Sequence, residues 1–211
     1  MKHRTRIAVA AGAVALVSAA IFLWPRPITG EARREDAARL MNELMSGKAA
    51  VGGPFTLADP SGRPRSLDEF RGSVVLLYFG YTYCPDVCPT DLAIIGAMLR
   101  SLGPQGKAVQ PLFVTLDPQR DTPQVLREYV AAFHPRFVAL RGGEEETRRI
   151  ALSYKVFYEK VRGADSGPYL IDHAAFTFLI DRKGQYVAFF PPGTKADRMA
   201  VMVREALEKP G

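Results

Sequence analysis

The sequence predicts an α/β fold, a sheet with helices packed on it, and three observations carry that expectation. The octapeptide SVVLLYFG at 73–80 is an unbroken apolar run, the pattern of a strand covered on both faces. Beyond it, short apolar segments alternate with longer ones whose apolar residues recur at helical spacing, the order that builds a sheet from strands joined by helical crossovers. With 211 residues, 47% of them hydrophobic, the chain can bury one medium core.

The elements follow in order. MKHRTR (1–6) sets Lys2, Arg4 and Arg6 before IAVAAGAVALVSAAIFLW (7–24), a charge-free apolar stretch about one bilayer crossing long. VSAA (17–20) offers the small residues of a signal-peptide cleavage site. Hydrophobicity nevertheless continues through residues 21–24, and Trp24 suits a membrane interface. The expectation is therefore one uncleaved transmembrane helix, with residues 1–6 in the cytoplasm and the rest in the periplasm, on the outer side of a bacterial inner membrane. Residues 25–50 read as a linker and a spacer helix, with Leu40, Met41, Leu44 and Met45 at helical spacing. Those methionines are read as packing rather than as copper ligands.

Residues 51–211 form the globular part. FTLADPSGRPRS (55–66) reads as an N-terminal hairpin. After the strand at 73–80 come a helix in TDLAIIGAMLRSLG (90–103), a strand in VQPLFVTLD (109–117), and a helix in TPQVLREYVAAFH (122–134) capped by Asp121 or Thr122. RFVAL (136–140) reads as a strand and GEEETRRIALSY (143–154) as a helix. KVFYEKV (155–161) and a polar loop, RGADSGPY (162–169), lead to AAFTFLID (174–181) and QYVAFF (185–190), an extra β-hairpin turned by RKG. TKADRMAVMVREALEK (194–209) closes the chain as a helix. This is the order of a thioredoxin-like α/β sandwich with extra strands.

Charge excludes one class of partner. The net charge of +6 comes mainly from the first 30 residues, which hold four basic groups and no acid; the remainder carries 24 Lys and Arg against 22 acids. No basic stripe with interleaved aromatics appears, so nucleic acid is set aside.

Both cysteines, Cys84 and Cys88, lie in YFGYTYCPDVCPTDL (78–92), between the buried strand and the next helix. A disulfide between them would close a very small loop and constrain the unfolded chain little. A helix start favours thiolate over thiol, and thiolates so placed can exchange disulfides, attack a peroxide or bind a soft metal. The three-residue spacing is one longer than that of thioredoxin-type exchange, and Pro85 and Pro89 stiffen the turn. A metal would need a further ligand. His3 falls on the cytoplasmic side, His134 reads as a helix-end or surface residue, and His173, in LIDHAAFTFLID, directly precedes an apolar strand. Asp117 ends the strand of FVTLDPQRDTP (113–123), so Cys84 and Asp117 both sit where α/β sheets gather functional groups, beyond strand carboxyl ends.

YFGYTYCPDVCPTDL, VTLDPQRDTP and YLIDHAAFTFLID resemble, in order and separation, the signature segments of the Sco/SenC family of membrane-anchored, thioredoxin-fold copper proteins. The resemblance runs from about residue 53 to the last helix. It implies that Cys84, Cys88 and His173 bind one copper ion and that Asp117 lies close to the metal, in a supporting or switching role. Two thiolates and an imidazole suit Cu(I), and Cu(II) can be held with an added oxygen ligand. A structural zinc site would recruit a fourth protein ligand. The implied function is a copper chaperone, not an enzyme, that is loaded by an upstream copper donor and delivers to the binuclear centre of cytochrome c oxidase subunit II. Ala174 departs from the small hydroxyl residue often found after the histidine. The main alternative is a thiol-disulfide reductase acting on that subunit's cysteines, with Cys84 and Cys88 alternating between dithiol and disulfide. A peroxidase lacks its threonine three residues before either cysteine, and a purely structural scaffold is the remaining alternative.

Overall fold

The computed structural model describes residues 38, 39, 41–43, 50–162 and 167–209. The expected anchor at 7–24 and most of the linker lie outside them. Residues 38–39 and 41–43 are helical, where the spacer helix was expected. Among the described residues no helix is long and apolar enough to cross a membrane.

β1 (Thr56–Ala58) and β2 (Pro64–Ser66) pair antiparallel as the expected N-terminal hairpin. The Asp59 side chain closes it by accepting the N–H groups of Ser61 and Arg63. β3 (Val74–Gly80) is buried at every position, as its uninterrupted apolar sequence requires. α1 (Val87–Ser101), β4 (Val109–Thr115), α2 (Pro123–Ala131), β5 (Val138–Leu140) and α3 (Glu144–Ser153) follow. Thr122 caps α2, its Oγ1 accepting the Val125 N–H, while Pro123 takes the first helical position, where no N–H is needed. β8 (Thr177–Ile180) and β9 (Tyr186–Phe190) form the expected second hairpin, and α4 (Ala196–Glu208) ends the fold. The turn between β8 and β9 uses Gly184 at φ +82°.

Five strands make one sheet in the order β5-β4-β3-β8-β9. β3, β4 and β5 run parallel, while β8 and β9 join antiparallel. With α1 packed on α4 and α4 on β3, this is the thioredoxin-like arrangement. Tyr154 locks β3 to β8, its ring 5.5 Å from Phe79 and 5.4 Å from Phe178. Such aromatic pairs add about 0.5–1.5 kcal/mol beyond burial.

One element differs from expectation. β6 (Tyr158–Val161) and β7 (Leu170–His173) pair antiparallel as a separate two-stranded sheet. Residue pattern carries no warning of this, because both strands are four residues long and only Ile171 is buried in them; that is too short for an alternating pattern to register. His173 is consequently the last residue of a strand, and not a loop residue.

The register sets the site. Gly80 pairs with Thr115 at the carboxyl ends of β3 and β4, and the Leu116 N–H reaches back to the Gly80 carbonyl. The loops carrying the cysteines and Asp117 therefore leave the sheet side by side. Gly80 is required there by contact: a Cβ would stand 2.8 Å from Cys88 Sγ and 2.8 Å from Tyr78 Cε1. Gly80→Ala is expected to destabilise the domain by about 1–3 kcal/mol, the usual cost of overpacking. A urea unfolding midpoint equal to that of the parent chain would contradict this contact.

Candidate metal centre

Cys88 lies in the first turn of α1 and Cys84 in the loop just before its N-cap, so the two sulfurs meet where the helix begins. Asp86, at the N-cap, makes no side-chain cap. The Cys84 sulfur takes that place by accepting the Cys88 N–H at 3.4 Å, satisfying one of the unpaired donors of the helix start. Cys84 is nearly buried and Cys88 wholly so; the two remain free thiols.

His173 comes to them from the end of β7. Its Nε2 lies 3.5 Å from Cys88 Sγ, and the ligand atoms of Cys84, Cys88 and His173 all fall within 4.8 Å of one another. Three donors around one ion with bonds of about 2.0–2.3 Å must stand about 3.5–4 Å apart. Closing on a metal thus takes a small contraction. The donor set, two sulfurs and an imidazole, is a soft one.

The charge state favours a cation. Cys84 is held well below the ordinary thiol range, first by the hydrogen bond from Cys88, against burial, and further by His173 and the N–H groups of Asp86 and Cys88. Cys88 is pushed up in turn, by that same sharing and by burial. Of the two sulfurs, Cys84 is thus the one favoured as thiolate, close to the half-buried His173. The Tyr78 hydroxyl lies buried beside Cys88 and Asp91, and the His173 Nδ1 is buried without a hydrogen-bond partner among the described residues. Asp91 Oδ1 accepts the Gly193 N–H at 2.8 Å, and burial raises the Asp91 carboxyl above its ordinary range.

Asp117 is fully buried and is not one of the three converging donors. One oxygen pairs with Arg120 Nε and the other accepts the Tyr169 hydroxyl at 2.7 Å. His134 is engaged elsewhere, its Nδ1 accepting the Arg136 N–H. Asp121, an expected capping candidate, serves differently: its buried carboxylate accepts Thr82 N–H at 3.1 Å and Thr82 Oγ1–H at 2.6 Å, together with the Thr115 hydroxyl. It ties the residues before Cys84 to β4, and burial raises its carboxyl despite these bonds. Sequence reasoning missed Asp121 in this role, and Tyr78 and Asp91 altogether. The signal for Asp121 was its place four residues after Asp117; Tyr78 and Asp91 gave none apart from being polar within apolar segments.

A thioredoxin-like sheet that brings a Cys-x-x-x-Cys pair and a distant histidine to one point defines a class of domain built to hold a soft metal ion. Residues 43–208 match the SCO1/SenC family, and the chain belongs to it. It is 44% identical to an SCO2-like protein of Rickettsia prowazekii over 144 residues, 68% of this chain and 70% of that one. Among solved structures it resembles Bradyrhizobium japonicum ScoI with copper bound, at 37% identity and a TM-score of 0.69, covering 75% of this chain and 100% of the other. It likewise resembles yeast Sco1 with copper bound, at 33% identity and a TM-score of 0.70, covering 77% and 91%.

The shared proton has a measurable consequence. The rate of Cys84 alkylation by iodoacetamide is expected to inflect far below the free-thiol value of about 8.5. In Cys88→Ala, which lacks the donor that contributes most, the inflection is expected to move up. An unmoved inflection in that variant would show that Cys88 does not hold the charge on Cys84.

Proposed function

We propose that this protein is a copper chaperone of cytochrome c oxidase assembly: it binds one copper ion through Cys84, Cys88 and His173 and passes it to the binuclear copper centre of oxidase subunit II. The convergence of those three donors within 4.8 Å carries this reading, and the copper-bound ScoI and Sco1 structures that the chain resembles support it. It acts as a carrier and not as an enzyme. A span at residues 7–24 anchors it in a bacterial inner membrane, with the domain in the periplasm beside the acceptor, and an upstream donor supplies the copper.

The chain's own residues explain how cargo is taken and released. Cys84 enters as a thiolate, and Cys88 must lose its proton before both sulfurs can serve. With three donors and no fourth evident among the described residues, an incoming thiolate of the acceptor has a face to approach, so ligands can be exchanged one at a time. Asp117, with both oxygens engaged, supports the site from beside it.

The second reading, a thiol-disulfide reductase, is favoured by the same Cys84 thiolate. Attack on a partner disulfide would form a mixed disulfide, and Cys88 would then displace the partner's thiol, leaving the partner reduced by two electrons and this chain as the Cys84–Cys88 disulfide. That chemistry has no need of His173.

Anaerobic Cu(I) titration separates the readings. One copper per chain is expected in the parent protein, none held tightly in Cys84→Ser or Cys88→Ser, and weakened binding in His173→Ala. Full copper affinity in His173→Ala would overturn the three-ligand site, and disulfide reduction undiminished in that variant would favour the reductase. Asp117→Asn is expected to keep one Cu(I) per chain and to slow its transfer; loss of Cu(I) would instead make Asp117 a ligand.

A further inference from the structure

The hairpin that delivers His173 is attached to the domain without strand pairing. β6 and β7 bond to each other and not to the five-stranded sheet, and a lone two-stranded hairpin is marginal in water. Side chains must fix its position, and several of those contacts meet at Arg120.

The Arg120 Nε pairs with Asp117, and Nη1 donates to the Tyr169 carbonyl at 2.8 Å. Its guanidinium lies 3.7 Å from the centre of the Tyr169 ring, 4.8 Å from that of Tyr83 and 5.8 Å from that of Tyr81. Tyr169 returns to Asp117 through its hydroxyl. Tyr81 accepts the Ile171 N–H at 3.2 Å, and its ring stands edge-on to the His173 imidazole at 5.9 Å. One cation therefore touches the turn after β4, the loop leading to Cys84 and the residue that precedes the strand ending in His173. Its Nη2 is buried without a partner. Hydrogen bonding alone does not account for burying this group, whereas the aromatic faces around it do.

We propose that Arg120 is a positioning residue, whose clasp on Tyr169 holds the β6–β7 hairpin where His173 can meet Cys84 and Cys88. This rests on the reading of those three residues as metal ligands. The planar fork is essential, because it stacks on Tyr169 while donating along its edge to Asp117 and to the Tyr169 carbonyl. A lysine would keep a positive charge near Asp117 and lose the rest. Asp117 thereby acts through Arg120, orienting the guanidinium against Tyr169.

The test uses the full chain, the parent beside Arg120→Gln and Arg120→Lys, with amide hydrogen exchange on metal-free protein and Cu(I) release to a competing chelator. In both variants the Ile171 amide is expected to exchange about tenfold faster or more, in line with losing hydrogen bonds made by a charged group. The amides of Leu77 and Phe113 in the central sheet are expected to be unchanged, and Cu(I) release is expected to quicken by a similar factor. Unchanged Ile171 protection overturns the clasp, and so does equal loss at all three amides, which would mean a role in global stability. Full restoration by lysine would assign the effect to charge alone and overturn the fork. Faster exchange with unaltered copper release would show that the hairpin is held but His173 is not positioned by it. If the parent chain took up no copper, the ligand reading would fail, and the exchange data would still decide whether Arg120 holds the hairpin.

Discussion

The close approach of the Cys88 sulfur to the bare backbone of Gly80 is the contact on which the site depends. A Cβ at Gly80 would press to 2.8 Å from that sulfur, so the first turn of α1 settles this closely onto the end of β3 because the strand ends in glycine. From this contact the rest of the geometry follows. Cys84, one turn earlier, is left to cap the helix with its sulfur. Parallel pairing of Gly80 with Thr115 brings the Asp117 turn alongside, and the buried Asp121 carboxylate binds that turn to Thr82.

Burial then sets the electrostatics. Two thiols this close and this dry cannot both ionise, since the second charge would face the first in a medium of low polarity. Their sharing and their burial lower the Cys84 thiol and raise the Cys88 thiol. Burying negative sulfur is costly unless a positive charge pairs with it. A soft cation would relieve that cost, which is why the same arrangement that favours metal binding also makes a reactive thiolate when the metal is absent.

Much of this was legible in the sequence, for reasons that can be located. β3 announced itself because a strand covered on both faces must be apolar throughout, and α2 because Thr122 and Pro123 spell out a helix start. Cys84 and Cys88 were legible as a pair by spacing, and their place at a strand-to-helix junction pointed to the thiolate. His173 was not legible from its surroundings, since a four-residue strand such as LIDH carries no periodic signal and its pairing partner lies beyond a polar loop; only resemblance to a family singled it out. Asp121 was read as a cap because an aspartate before a helix usually is one. Its burial came from a tertiary demand, the need to fasten Thr82, which local pattern does not encode.

The three donors are held by different means, and that difference would suit the carrier role proposed for this chain. The sulfurs sit at the junction of α1 and the main sheet: Cys88, in α1, packs against Gly80 of β3, and Cys84 accepts the Cys88 N–H at the helix start. The imidazole belongs to a hairpin outside the main sheet, fastened by side-chain contacts around Arg120, Tyr81 and Tyr169. Elements with few shared backbone bonds open at lower free energy than the core around them. A site so built has one ligand that can withdraw while two stay in place. Loss of the imidazole would expose a face to an incoming thiolate without breaking any pairing of the five-stranded sheet.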